Sequence, residues 1–377
     1  MKYADIVVRD APVVDKNAVG KNAIKKNVVT KNDKSPHYWW GGVGALLGLG
    51  VSMAAYAYWH EPFNVALEEL TFHLPNAKGC LPKEGLRILH LSDTHFQGRD
   101  QREHSKIDCI RRLTDDLTYD LLIHTGDFWH LESGLENVIK LLDVLPKPRI
   151  GSYGVFGNHD YMHYDSTTAL PRMWQTFRKR EAARRNGHSA FSLLETADTL
   201  FQFWRFGQYV RNTPLDLKRT GTNDPEKLTL ALKSCGMEVL HNRSIHLCCQ
   251  SGAPNGLDLY LAGVDDVQEG RPHLGSTLAD VPQNRPVILL SHNPDILESP
   301  RIACIDVVLS GHTHGGQIVL PFWGPAHTQA QHISRDNAAG YLRRGKTHVY
   351  ITRGVGEGIP LRFGAQPQIA LITLKAE

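Results

Sequence analysis

The residues of this chain whose types and spacing can do chemistry are Asp93 and His95 (D-T-H), Asp127 (G-D), Asn158, His159 and Asp160 (G-N-H-D), His292, and His312 and His314 (G-H-T-H). They offer carboxylate, amide and imidazole donors and no thiolate. That donor set suits Mn²⁺, Fe, Zn²⁺ or Mg²⁺ rather than a soft ion such as Cu(I). In D-T-H and H-T-H one intervening residue lets both side chains point to the same side of an extended segment. A single D-x-H or G-D carries no weight. A series of such motifs in order, each at the end of an apolar run, points to a metal centre.

The apolar runs are the elements that must position these residues. RILHLSD and LLIHTGD each read as a strand ending on a carboxylate, and GSYGVFGNHD as a third. LDLYLAGVDD, RPVILLSHNP, IDVVLSGHTH and HVYITRG repeat the pattern, and residues 102–117 read as a helix. Strands interleaved with helices predict an α/β domain over residues 86–377, with polar side chains at strand ends, where such folds place active sites. Gly126, Gly157 and Gly311 permit tight turns where a Cβ would obstruct close approach. Residues 60–85 read as a lead-in linker.

Residues 164–224 interrupt the pattern. RMWQTFRKREAARR is strongly basic, and FSLLETADTLFQFWRFGQYV carries aromatic residues at helical spacing, so a helical insertion is predicted. It suits a membrane surface or an acyl chain, or equally a packed cap with a solvated basic face.

Residues 1–38 are polar and lysine-rich and read as a flexible basic tail. Residues 39–59, WWGGVGALLGLGVSMAAYAYW, are 21 residues without a formal charge, bounded by aromatics. This length predicts a single transmembrane anchor, weakened by five glycines between Gly41 and Gly50. The tail holds eight Lys/Arg, which places it in the cytoplasm and the catalytic domain outside.

The net charge of +3 over 377 residues does not predict nucleic-acid binding. No basic-aromatic stripe exists outside the insertion, so no nucleic-acid partner is expected. No C-x-x-C pair occurs, which excludes a zinc ribbon or thioredoxin-like site. Adjacent Cys248 and Cys249 read as strand residues.

The motif series D-x-H, G-D, G-N-H-D, H, G-H-x-H resembles that of the calcineurin-like metallophosphoesterase superfamily, from residue 86 to the C-terminus. The resemblance implies a β-sandwich flanked by helices, with the site at its loop edge, and two divalent metal ions, Mn²⁺ foremost. It implies that Asp93, His95, Asp127 and His314 hold the first metal. Asp127, Asn158, His292 and His312 would hold the second, with Asp127 bridging. Two cations about 3.5–4 Å apart can clamp a phosphoryl oxygen and acidify a water. His159, not needed as a ligand, is then the group that contacts the phosphoryl group or protonates the leaving group. Asp160 is expected to fix its tautomer, or else to act as a turn carboxylate.

SGHTHGGQIVLPFWG and TRGVGEGIPLRF are similar to the membrane-associated subgroup of YkuE-type phosphoesterases and UDP-2,3-diacylglucosamine pyrophosphatases. That implies a phosphohydrolase of the bacterial inner membrane acting on a phosphate or pyrophosphate, lipid-linked in the pyrophosphatase case. Arg353 and Arg362 are expected to bind substrate phosphate by bidentate contacts, or to form structural ion pairs. Two other functions compete: a phosphodiesterase or phosphatase for soluble nucleotides, and a non-catalytic scaffold. The scaffold requires a missing ligand, and none is missing. One conflict stands: a nucleotide-linked lipid A precursor is cytoplasmic, whereas the charge rule puts this domain outside.

Overall fold

The computed structural model describes residues 37–165, 168–184, 196–213, 217–248 and 256–377. Nearly all of the expected tail lies outside these residues, as does Cys249; Cys248 ends a strand. Residues 50–377 make one compact unit.

The apolar runs form two six-stranded sheets. The first has the order Ala66–Leu74, Gln368–Ala376, Leu86–Leu91, Leu121–His124, Gly151–Gly154, Met237–Val239. The second runs Gly340–Arg344, Thr347–Ile351, Val307–Ser310, Val287–Leu290, Asp258–Gly263, Arg243–Cys248. Ile88, Ile123, Val155, Leu261, Ile288, Leu309 and Ile372 pack into one core shared by the sheets. Helices Asp100–Thr114, Leu135–Val144 and Pro225–Ser234 bury Ile107, Ile110, Leu141, Leu228 and Leu232 with Leu89 and Leu122 of the first sheet. Short turns over residues 294–304 bury Ile296, Leu297 and Ile302 with Leu289 and Val308 of the second. Strands covered on both faces read as unbroken apolar runs, which is why these were legible.

Leu86–Leu91, Leu121–His124 and Gly151–Gly154 are parallel, as are Val287–Leu290, Val307–Ser310 and Thr347–Ile351. Their carboxyl ends therefore fall in one row per sheet.

One expectation needs correction. Residues 60–85 are not a linker: Ala66–Leu74 pairs in parallel with Gln368–Ala376 along its whole length. Consecutive glutamates disguised the strand, but Glu68 accepts hydrogen bonds from Tyr350 (2.7 Å) and Gln368 (2.6 Å). As to the predicted membrane span, among the described residues no helix is long and apolar enough to cross a membrane. The α-helix covers His37–Ala55 and gives way to a π-helical turn over Tyr56–His60. The carboxyl end of the segment 39–59 is hydrogen-bonded to the rest of residues 50–377. Ala57 is buried and its carbonyl accepts from the Arg362 amide at 2.9 Å. The Tyr58 carbonyl accepts from the Arg102 guanidinium at 2.9 Å.

The insertion is helical where described. An antiparallel ribbon, Met162–Asp165 against Lys218–Thr222, closes its base. Helices Ala169–Arg184 and Thr196–Asn212 meet through the Arg205–Glu181 ion pair (2.5 Å) and through ring contacts of Trp174 and Phe177 with Phe206.

Candidate metal centre

The two rows of strand ends meet at one cluster. Asp93 and His95 follow Leu86–Leu91, Asp127 follows Leu121–His124, and Asn158 and His159 follow Gly151–Gly154. From the second sheet, His292 follows Val287–Leu290, and His312 and His314 follow Val307–Ser310. All of these side chains are buried. The His312 amide donates to both Asp93 carboxylate oxygens (3.0 and 3.1 Å), stitching the sheets together at the site.

Two ligand groups emerge that share one residue. Asp93, His95, Asp127 and His314 bring one donor atom each within 4.8 Å of the others, and so do Asp127, His292 and His312. His95 Nε2 lies 2.9 Å from His314 Nε2 and 3.2 Å from Asp127 Oδ2. His292 Nε2 lies 3.2 Å from His312 Nδ1 and 3.2 Å from Asp127 Oδ2. Adjacent ligands of an octahedral ion with bonds of about 2.1 Å lie about 3.0 Å apart. The His292 Nδ1–H donates to the Thr125 carbonyl at 2.7 Å, which turns Nε2, the nitrogen a cation would take, toward Asp127 and His312. Asn158 is fully buried, and neither its Oδ1 nor its Nδ2 has a hydrogen-bond partner. Convergent lone pairs and an orphaned buried amide fit cations shared between these groups.

The backbone is strained where the donors sit. Asp93, His95, Asp127, His312 and His314 all have φ between 47° and 72°, a region that non-glycine residues rarely adopt. No sequence signal announced this. Gly311 is required by close approach, since a Cβ there would lie 2.1 Å from Ser92 Oγ and 2.2 Å from Asp93 Oδ2.

Electrostatics follow from burial and crowding. Burial opposes ionisation of Asp93 and Asp127, but the surrounding imidazoles outweigh it and hold both carboxyls well below the usual range. Burial also opposes charge on His292, yet Asp127 beside it lifts its pKa to about 10. Burial, with His292 adding repulsion, pushes His312 down to about 3. Burial keeps His159 well below its ordinary value.

His159 stands at the edge of the cluster, its ring 4.6 Å from that of His95, and its amide donates to Asp127 Oδ1 at 2.8 Å. Asp160 does not hold its imidazole. The Asp160 carboxylate instead accepts from the amides of Asp127, Phe128 and Gly157, each at 2.8 Å. Arg362 is likewise not a substrate arm: it is fully buried and donates to the carbonyls of Gly356 (3.1 Å), Ala365 (3.0 Å) and Arg353 (2.9 Å). Arg353 is half-buried beside Gly315, and its Nε has no partner.

Two contributors escaped the sequence reading. The His130 ring lies 4.5 Å from that of His159, and His95, His130 and His159 form a third donor group. Asn223, at the end of the insertion, donates to the carbonyls of His159 (2.7 Å) and His130 (3.3 Å). His130 lies in a loop and Asn223 follows the polar strand Lys218–Thr222 rather than an apolar run, so no motif marked them.

Residues 86–316 match the family described as Calcineurin-like phosphoesterase. The chain is 39% identical to the metallophosphoesterase YkuE of Bacillus subtilis, over 85% of this chain and 89% of that protein. It is 29% identical to the UDP-2,3-diacylglucosamine pyrophosphatase LpxG of Chlamydia muridarum, over 83% of this chain and 90% of LpxG. The Chlamydia trachomatis protein of the same name is 30% identical, over 83% and 90% of the two chains.

Proposed function

Because this chain belongs to the calcineurin-like phosphoesterase family and is a hydrolase of that kind, we propose that it cleaves a phosphate ester or pyrophosphate at a dinuclear centre. Asp93, His95, Asp127 and His314 hold one divalent cation; Asp127, Asn158, His292 and His312 hold the other. The observation that carries this is Asp127, whose carboxylate belongs to both ligand groups. The bound cations supply Lewis acidity at the phosphoryl group and acidify water.

The protein supplies position and proton control. The Thr125 carbonyl fixes the His292 tautomer. Asp160 pins the loop that presents Asp127. His159 donates a hydrogen bond to the phosphoryl group or a proton to the leaving oxygen, and Asn223 holds its backbone in place. Arg353, with an unpartnered Nε, reaches toward substrate phosphate.

The substrate is a lipid-linked pyrophosphate such as UDP-2,3-diacylglucosamine, on the strength of the likeness to the two chlamydial pyrophosphatases. The chain works at a membrane surface. Exposed Val51, Tyr56, Tyr58 and Trp59, together with Phe201, Phe203 and Trp204 of the insertion, favour attachment there. Mn²⁺ is the expected ion. The test compares Mn²⁺-dependent turnover of UDP-2,3-diacylglucosamine with that of bis-p-nitrophenyl phosphate by the full chain. Preference for the glycolipid supports the substrate; turnover of the simple diester alone discards it and leaves a phosphodiesterase of soluble esters.

A further inference from the structure

A cavity of about 950 Å³ opens beside the metal centre, where the insertion ribbon and the loop over residues 327–335 face each other. Tyr164 links the two places: its ring lies 4.9 Å from that of His159, and it also lines the cavity. The charged residues of the wall are Lys218, Arg219 and Arg335, with no carboxylate among the described lining residues. Arg219 is neutralised by Glu269 at 2.6 Å. Lys218 and Arg335 are in no ion pair among the described residues, and Arg335 Nη1 is enclosed without a hydrogen-bond partner. Burial, with repulsion from a second cation, Arg211 at the end of the insertion helix, lowers the pKa of Arg335.

An enclosed guanidinium nitrogen without an acceptor is costly, and repulsion from a second guanidinium adds to the cost. Both costs are removed by an anion that offers several acceptor oxygens to the planar fork. The wall is held in place for such a guest. Asp295 accepts from the amides of Gln331 and His332, each at 2.8 Å. The Tyr164 hydroxyl is fixed by Glu269 and by Gln268, the latter at 3.2 Å.

We propose that this cavity is an anion subsite built around Arg335, with Lys218, that receives a second phosphoryl group of the substrate. The inference rests on the hydrolase reading above and narrows it: a substrate with a second phosphoryl group gains contacts at Arg335 that a simple phosphate ester lacks.

The test separates the subsite from the chemistry. Binding of inorganic pyrophosphate to the full chain, stripped of metal with EDTA, is measured by isothermal titration at low ionic strength. Wild type is compared with Arg335→Ala and Arg335→Lys, with thermal melting of each to verify folding. The expected result is binding weakened at least tenfold in Arg335→Ala and by a smaller factor in Arg335→Lys, which keeps the charge and loses the planar fork. Equal affinity in wild type and Arg335→Ala, or no binding by wild type, overturns the subsite. Hydrolysis of bis-p-nitrophenyl phosphate with Mn²⁺ restored is followed separately. Its absence beside intact pyrophosphate binding sinks the hydrolase reading and not the subsite, and its presence beside unselective binding does the reverse.

Discussion

The Asp160 carboxylate accepts the backbone amide of Asp127 at 2.8 Å, and that of Gly157 at the same distance, so one buried side chain ties the G-D turn to the G-N-H-D turn. The carboxylate that reads in sequence as an assistant to His159 is thus the peg that presents Asp127. Replacing it with alanine strands several buried amides, each costing about 1–3 kcal/mol. Asp160→Ala is expected to lower stability by about 3 kcal/mol or more and to reduce bound metal. Unaltered metal content in a folded Asp160→Ala protein, by inductively coupled plasma mass spectrometry, would contradict this role.

Gly311→Ala places a methyl group against Asp93 Oδ2 and Ser92 Oγ, both part of a rigid, fully buried turn. Asp93 must then move away from its partners His95 and His314. The expected outcome is at least a hundredfold loss of kcat/KM with reduced affinity for Mn²⁺, measured by metal titration of the activity.

His159 belongs to neither of the two ligand groups that share Asp127, and the proposed function gives it the proton-transfer role. His159→Ala is expected to lose about 10²–10⁴ in kcat, the usual range for a positioned proton-transfer group, while keeping its full complement of metal. Loss of metal in this variant would reassign His159 as a ligand, and His130, in the same third donor group, would then be the next candidate.

The clustered strand-end donors were legible because apolar runs buried on both faces stop abruptly at carboxylates and imidazoles. What the sequence hid depends on contacts across the chain. Nothing local distinguishes Arg362, which is buried under carbonyls, from Arg353, which keeps a free Nε. Ala66–Leu74 looked like a linker because Glu68 is satisfied by Tyr350, 282 positions away. The charge-free stretch at residues 39–59 looked like a span, yet its carboxyl end bonds to Arg102 and Arg362. The strained φ angles at five of the donor residues are likewise set by tertiary structure.

Glu357 is buried between Arg102 (2.7 Å) and Lys106, and it braces the segment that carries Arg362. Burial alone would raise its pKa, but Lys106 and the arginines hold it below the usual glutamate value. A depressed folded pKa gives stability that is full above the unfolded value of about 4.3 and is lost as pH falls through the lower folded value. Wild type is therefore expected to lose melting temperature below about pH 4.3, and Glu357→Gln to flatten that acid limb. The variant also leaves Lys106 as an uncompensated buried charge, at a cost of about 3–5 kcal/mol at neutral pH. Melting curves from pH 3 to 7 check both expectations (range set by the reference carboxyl pKa).

The most direct measurement is the number of Mn²⁺ ions bound per chain, taken together with bis-p-nitrophenyl phosphate hydrolysis, for wild type and Asp127→Ala. A residue shared by both ligand groups predicts two ions in wild type. In Asp127→Ala it predicts about one ion or fewer, and turnover reduced by about 10³ or more. An Asp127→Ala protein that keeps both ions and its turnover would contradict the bridged dinuclear centre.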